Sequence, residues 1–181
     1  VSLFKNFNIS KFKSKKPPGD RSITTYSEIQ QIKNIKANEK FVREKDDIFN
    51  VFRKVARQHN ISYPAEMVNK LMDDSAIIIM QLKNYFNRPR PQELAKEFNI
   101  DLKIVELESA KTPSYPSGHS AQGVLIAKFL ADEYPIAADN FLKESKNISF
   151  SRNMAKVHYR SDSDFGERLG EALYNNFKNE M

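Results

Sequence analysis

Three short stretches carry residue types suited to a phosphate ester. They are Lys83 with Arg90-Pro91, then Pro116-Ser117-Gly118-His119, then Ser151-Arg152 followed by His158 and Asp162. A phosphate dianion needs several donors with its charge neutralised, and arginine offers a planar fork that matches its oxygens. Three cations, two histidines, a carboxylate and a glycine-containing turn could together hold a phosphate and break its ester through a phosphohistidine. Pro116 to His119 fall where a loop enters an apolar helix, whose first N–H groups lack internal partners and carry the positive end of the dipole. Gly118 lets an anion approach that backbone closely, Ser117 adds a hydroxyl donor, and His119 stands at the mouth of the cradle. His158 and Asp162 are four apart, so a continuous helix would place them on one face. A carboxylate on one ring nitrogen fixes the tautomer and leaves the other nitrogen free to attack.

Each piece alone has a plainer meaning. Pro-Ser-Gly is common turn chemistry, His–Asp pairs are common on helix surfaces, and any one of 29 cations is ordinarily a surface cation. Arg88 fits that surface description and is read as a bystander. His59, with no such partners nearby, is read as structural or exposed. No HExxH and no dense carboxylate cluster suggests a metal, and none is expected.

The elements that must position these residues are helical. Glycines are scarce and apolar periods near 3.6 dominate, so the fold expected is a single-domain all-α bundle with its site between core helices. Residues 25–45 and 46–59 read as two charged amphipathic helices, the second turning Ile48, Phe49, Phe52 and Val55 inward. Ser62 is placed to cap a third helix, with Pro64 in its first turn. Lys83 ends that helix before Arg88-Pro89-Arg90-Pro91 breaks it. A short helix over 92–98 leads into an irregular stretch, 99–115, extended around Leu102 to Leu107. Over 118–133, Val124, Leu125, Ile126, Ala127, Phe129 and Leu130 are apolar almost all round, the mark of a helix in the middle of a bundle. Helices at 137–146, 149–158 and 163–178 complete the expectation. Tyr115, Tyr159 and the loop at 99–114 are candidates to line the site's entrance, with core packing the competing role for the tyrosines.

At 181 residues the chain suits one compact domain, and its net charge of +6 is partly local. Lys5, Lys11, Lys13, Lys15, Lys16 and Arg21 crowd the start, around Pro17-Pro18-Gly19. Residues 1–20 read as a basic arm, flexible or docked late, and 21–181 as the helical domain. The arm could touch anionic lipid or nucleic acid, although a solvated tail is the simpler reading. With no cysteine there is no disulfide, thiolate chemistry or cysteine-based metal site. The longest apolar run, Ala76 to Met80, is far short of the roughly 20 residues of a membrane span. No leader pattern is visible, so a soluble protein is expected, with the cytoplasm favoured; a chain already processed before Val1 would fit the periplasm.

Lys83-x6-Arg90-Pro91, Pro116-Ser117-Gly118-His119 and Ser151-Arg152-x5-His158-x3-Asp162 resemble the full tripartite signature of the type 2 phosphatidic acid phosphatase superfamily. That superfamily includes the bacterial class A nonspecific acid phosphatases, membrane lipid phosphatases and vanadium-dependent haloperoxidases. The similarity spans roughly residues 75–172, including Ser114-Tyr115 and Gly166, and does not reach the N-terminal third. Ser120 stands where class A enzymes often have threonine. The resemblance implies that His158 is the nucleophile, that Asp162 orients it, and that His119 is the general acid. It also implies that Lys83, Arg90, Arg152, Ser117 and the Gly118 N–H hold the phosphate oxygens.

The leading expectation is therefore a metal-independent phosphatase acting on phosphorylated small molecules. It would hydrolyse phosphomonoesters, with diphosphates and lipid phosphates as further candidates, need no cofactor and be inhibited by vanadate. A vanadium-dependent haloperoxidase, in which the same pocket would hold vanadate as cofactor, is the first alternative. A structural or binding module that keeps the phosphate site is the second.

Overall fold

The computed structural model describes residues 2–181, and among them helices alternate with irregular connections and no β-strand occurs. Capping residues divide the first half. Helix α1 (Ile9–Lys13) is little more than a turn. Ser22, Asn38 and Asp47 each accept a backbone N–H three residues on, opening α2 (Ile23–Lys33), α3 (Glu39–Asp46) and α4 (Ile48–Gln58). The single helix expected over 25–45 is thus two, because Asn34 ends one and Asn38 caps the next. Helix α5 (Ala65–Phe86) starts directly after Pro64, with no side-chain cap. Ser62, expected to cap it, instead accepts the Tyr134 hydroxyl on its carbonyl. Asn87 ends α5 in the left-handed region at φ 49°, which asparagine tolerates better than other non-glycine residues.

Helix α6 (Pro91–Glu97) begins with its proline at the first position, where the missing N–H costs nothing. The stretch that follows is irregular apart from a 3-10 turn at Glu108–Ala110. The Val105 N–H tethers it to the Ala155 carbonyl at 3.0 Å. Then come α7 (Gly118–Glu133), α8 (Ala138–Met154) and α9 (Arg160–Asn179). The two helices expected at 137–146 and 149–158 are one. Asn147, an apparent break, bonds its amide to Glu144 on the preceding turn at 2.9 Å, and α8 runs on to Met154. His158 therefore lies in the turn between α8 and α9 and on neither helix.

Helix α7 is the axis of the bundle, packed by α8 and α9 and touched by α4 and α5. Its Leu125, Ile126, Ala127 and Leu130 are wholly buried, each larger side chain contributing about 1.5–3 kcal/mol. Small residues let backbones meet. A Cβ at Gly166 of α9 would lie 2.5 Å from the Ser117 carbonyl, and one at Gly170 would strike the Ala121 carbonyl. The start of α9 is thereby seated on the start of α7, and this places the last two signature stretches side by side.

The basic N-terminal stretch lies against this bundle. Phe4 is buried, Phe12 meets the Phe165 ring at 5.8 Å, and the Tyr115 hydroxyl donates to the Lys15 carbonyl at 2.8 Å. Lys5, Lys11, Lys15 and Lys16 stay exposed. Among the described residues no helix is long and apolar enough to cross a membrane.

Candidate active site

The turn after α8 sets the geometry. Lys156 adopts a positive φ of 65°, and the Asn153 amide holds the His158 carbonyl at 3.0 Å and the Ser163 hydroxyl at 3.1 Å. His158 is thereby aimed inward, and only 1% of it is exposed. Asp162, three residues into the next helix region, accepts the Tyr159 N–H at 3.1 Å. Its Oδ2 also accepts from His158 Nδ1 at 2.9 Å and from the Ser114 hydroxyl. The pairing expected from a shared helix face is made instead across a helix start, with Asp162 reaching back over the first turn of α9.

Arg90 approaches the ring from the other side, its Nη1 lying 3.0 Å from His158 Nε2. A guanidinium can only donate, so Nε2 is the acceptor and Nδ1 carries the proton. The tautomer is thus fixed twice, by a carboxylate on one nitrogen and a cation on the other. Burial, then the positive charges of Arg90, Lys83 and Arg152, hold the His158 pKa well below its ordinary value and keep the ring neutral.

Lys83, Arg90 and Arg152 converge here from α5, the start of α6 and α8. Lys83 Nζ donates to the Pro113 carbonyl at 2.7 Å, and Arg90 Nε to the Thr112 carbonyl at 2.7 Å. Arg152 Nη1 donates to Asp46 at 3.0 Å and to the Ser109 hydroxyl at 3.2 Å, while its buried Nε has no partner. Burial lowers Arg90 and Arg152 to about 10, the mutual repulsion of the cations adding to the effect on Arg152. Lys83 is lowered further by burial and then by Arg90. Such a cluster favours an anion that would relieve it.

Ser117 is the cap of α7, its Oγ accepting the Ser120 N–H at 3.2 Å, so its hydroxyl proton remains to be donated. Gly118 follows with its backbone against Ile79 and Lys83. His119 Nε2 donates to the Asp46 carbonyl at 2.7 Å and lies 3.3 Å from the Asp46 carboxylate, which leaves Nδ1 as the other titrating nitrogen. Gly118, His119, Asp46 and Thr112 are part-exposed and mark where the site meets solvent.

All eight residues named from the sequence, His158, His119, Asp162, Lys83, Arg90, Ser117, Gly118 and Arg152, belong to this one neighbourhood. His59 sits elsewhere, its Nε2 accepting from Asn140 at 2.7 Å. Arg88 is corrected. It is 1% exposed, bonds Asp162 Oδ1 at 2.8 Å and Ser161 at 2.8 Å, and lies 3.7 Å from Glu28. Its guanidinium also stacks over the Tyr159 ring at 3.7 Å. Arg88 is the counter-ion of Asp162 and no bystander. Tyr115 and Tyr159 are both buried, so neither lines the entrance; Tyr159 bonds the Pro89 carbonyl at 3.0 Å. The loop at 99–114 does border the site, through Ser109, Thr112 and Pro113.

Asp46 and Asn153 went unnoticed because nothing local marks them; Asp46 meets Arg152 across 106 positions of sequence. The Asp46 carboxyl is held well below the carboxylate range, chiefly by its hydrogen bond to His119 against the opposing effect of burial. A cleft of about 450 Å³ adjoins the site, sharing Arg90, Thr112, Pro113 and Val157 with it, but neither catalytic-type histidine lines it.

Fold and geometry together define an all-α bundle with two buried cations, Lys83 and Arg152, and the half-buried Arg90 gathered beside a tautomer-fixed histidine. The chain belongs to the PAP2 superfamily, whose model matches residues 74–175. It is 36% identical over 90 residues to a non-specific acid phosphatase of Salmonella typhimurium, a match covering 49% of this chain and 35% of that protein. A non-specific acid phosphatase of Salmonella typhi is 34% identical over the same length, again 49% of this chain and 35% of that protein. The match thus spans about a third of these curated relatives. Among solved structures, a bacterial vanadium-dependent iodoperoxidase superposes with a TM-score of 0.77 at 18% identity, over 96% of this chain and 54% of that one. A transmembrane PAP2-type phosphatidylglycerolphosphate phosphatase from Bacillus subtilis does so at 0.64 and 16% identity, over 95% of this chain and 91% of that one. At such identities these two likenesses bear on the fold alone.

Proposed function

We propose that this protein is a phosphatase that hydrolyses phosphomonoesters through a phosphohistidine on His158, without a metal. The observation that carries the reading is the double fixing of His158, with Nδ1–H on Asp162 and the Nε2 lone pair turned toward Arg90. A phosphoryl group beside Nε2 would have Lys83, Arg90, Arg152, the Ser117 hydroxyl and the Gly118 N–H as oxygen partners. In the first step Nε2 bonds to phosphorus, the P–O ester bond breaks, and His119 gives its proton to the departing alcohol oxygen. In the second, water loses a proton to His119, its oxygen bonds to phosphorus, and the N–P bond breaks to return His158 and inorganic phosphate. The family and the acid phosphatases it resembles support this reading.

Trapping acid-labile phosphate on the wild type, alongside the His158→Ala variant, tests it. Wild type is expected to turn over p-nitrophenyl phosphate and to carry acid-labile label, and the variant to do neither. A wild type that neither turns over nor labels would sink the proposal. A chelator is expected to leave the rate unchanged, and orthovanadate, a mimic of the five-coordinate phosphoryl group, to inhibit competitively.

A further inference from the structure

Asp46 has no part in the chemistry just described, yet it touches two of the groups that do. It is the last residue of α3, and its backbone carbonyl takes the His119 Nε2–H at 2.7 Å. Its carboxylate lies 3.3 Å from the same nitrogen, accepts from Arg152 Nη1 at 3.0 Å, and is bridged to the loop by the Ser109 hydroxyl at 2.6 Å. We propose that Asp46 is the positioning residue of the general acid, fixing His119 so that Nδ1 delivers the proton and supplying the negative charge that keeps the imidazolium populated.

The two acceptors on one residue explain the orientation. A carbonyl oxygen has no proton to give, so Nε2 must be the N–H in the neutral ring and Nδ1 the atom free to face a leaving group. The charges explain the need for a carboxylate. From α8, Arg152 opposes protonation of His119, and the cations Lys83 of α5 and Arg90 before α6 crowd the neighbouring His158. The turn before α9 contributes the neutral ring of His158, its Lys156 donating away to the Ile35 carbonyl, and α4 holds its Arg53 over the Phe49 ring. Asp46 is the carboxylate that answers these cations at His119, and an opposite charge at this distance moves a pKa by about one to three pH units. The same oxygen steadies Arg152, so the acid and one phosphate ligand are registered to each other through α3.

The role presumes the phosphatase reading, but its test does not depend on turnover. Nitrogen-detected NMR of wild-type His119 is expected to show the Nε2–H tautomer when neutral. In Asp46→Asn, which keeps the backbone acceptor and loses the charge, His119 is expected to titrate about one pH unit lower or more. The alkaline limb of kcat/KM should move with it, and kcat for an alkyl phosphate should fall about tenfold more than for p-nitrophenyl phosphate, whose leaving group needs little protonation. Asp46→Glu should restore part of the shift. A wild-type Nδ1–H tautomer, or a His119 titration unmoved in a folded Asp46→Asn protein, overturns the proposal. That NMR result stands even if no phosphate ester is hydrolysed, so its failure is distinct from failure of the enzymatic reading.

Discussion

Asp162 sits at the meeting of two demands, ionised to hold His158 and buried where a lone carboxylate would not ionise. Burial raises its pKa to about 6, and Arg88, Ser114 and the Tyr159 N–H pull against that rise. His119 moves the other way, lowered from 6.5 by burial and then by Arg152, despite Asp46. The ionised fraction of Asp162 grows as pH rises through about 6, while the protonated fraction of His119 shrinks as pH rises through its lowered value. Their product is a narrow bell on the acid side of neutrality, expected in kcat/KM for a substrate with a slow leaving group. A bound phosphate dianion favours the imidazolium, so the alkaline limb of kcat should lie above that of kcat/KM. A flat profile from about pH 4 to 9 would contradict both statements. Arg88 gives a second test at this scale. Replacing it by methionine leaves the Asp162 charge buried with its main partner gone, a loss expected at about 3–5 kcal/mol in denaturant unfolding. Asp162→Asn on that background should cost far less than the sum of the two single changes, because each acts through the other.

At the scale of elements, the contact between α7 and α9 decides whether the Ser117 turn and His158 share a site. Gly166 of α9 leaves no room for a methyl against the Ser117 carbonyl and the Ser120 Cβ. Gly166→Ala should therefore cost about 1–3 kcal/mol in stability and also raise KM, because the residue displaced is the cap of the cradle. Gly170→Ala, one turn further on against Ala121, should cost similar stability with a smaller effect on KM. These elements were largely legible in the sequence. The all-round apolar run of α7, the Pro-rich stop after α5 and the cradle at Ser117 rest on local chemistry that a short window displays. The break at Asn34 to Asn38 and the continuity of α8 through Asn147 were not legible, since asparagine serves equally as a cap or as a side chain bonded back along a helix. Arg88 was misjudged for a different reason. Its partner lies 74 positions away, and only the assembled bundle decides which of two arginines two residues apart turns inward to Asp162.

The whole molecule separates two kinds of positive charge. Six cations and a single carboxylate, Asp20, fall within the first 21 residues, so the remainder of the chain is close to neutral. The cations of the site are buried or half-buried and paired with Asp162, Asp46 and loop carbonyls, whereas Lys5, Lys11, Lys15 and Lys16 of the arm face solvent. The arm is held by apolar contacts and by backbone hydrogen bonds such as Leu3 N–H to Asp74 at 2.8 Å, with Lys13 set over the ring of Tyr85 at 5.1 Å. Phe4 enters the main core, and Phe12 rests on Phe165, whose ring is stacked on Tyr115 at 4.3 Å with 5° between planes. Tyr115 precedes Pro116, so the arm buttresses the cradle from behind. Phe4→Ala alone would ordinarily cost about 3 kcal/mol, and for a chain of this length each kcal/mol corresponds to about 2–4 °C in Tm. Deleting residues 2–16 is therefore expected to lower Tm by about 6 °C or more. Replacing Lys5, Lys11, Lys15 and Lys16 by glutamine should leave Tm within about 2 °C, because exposed charges away from a partner contribute little. Thermal melts of the two variants separate the roles. Equal losses in both would mean that the charges, and not the phenylalanines, hold the arm in place.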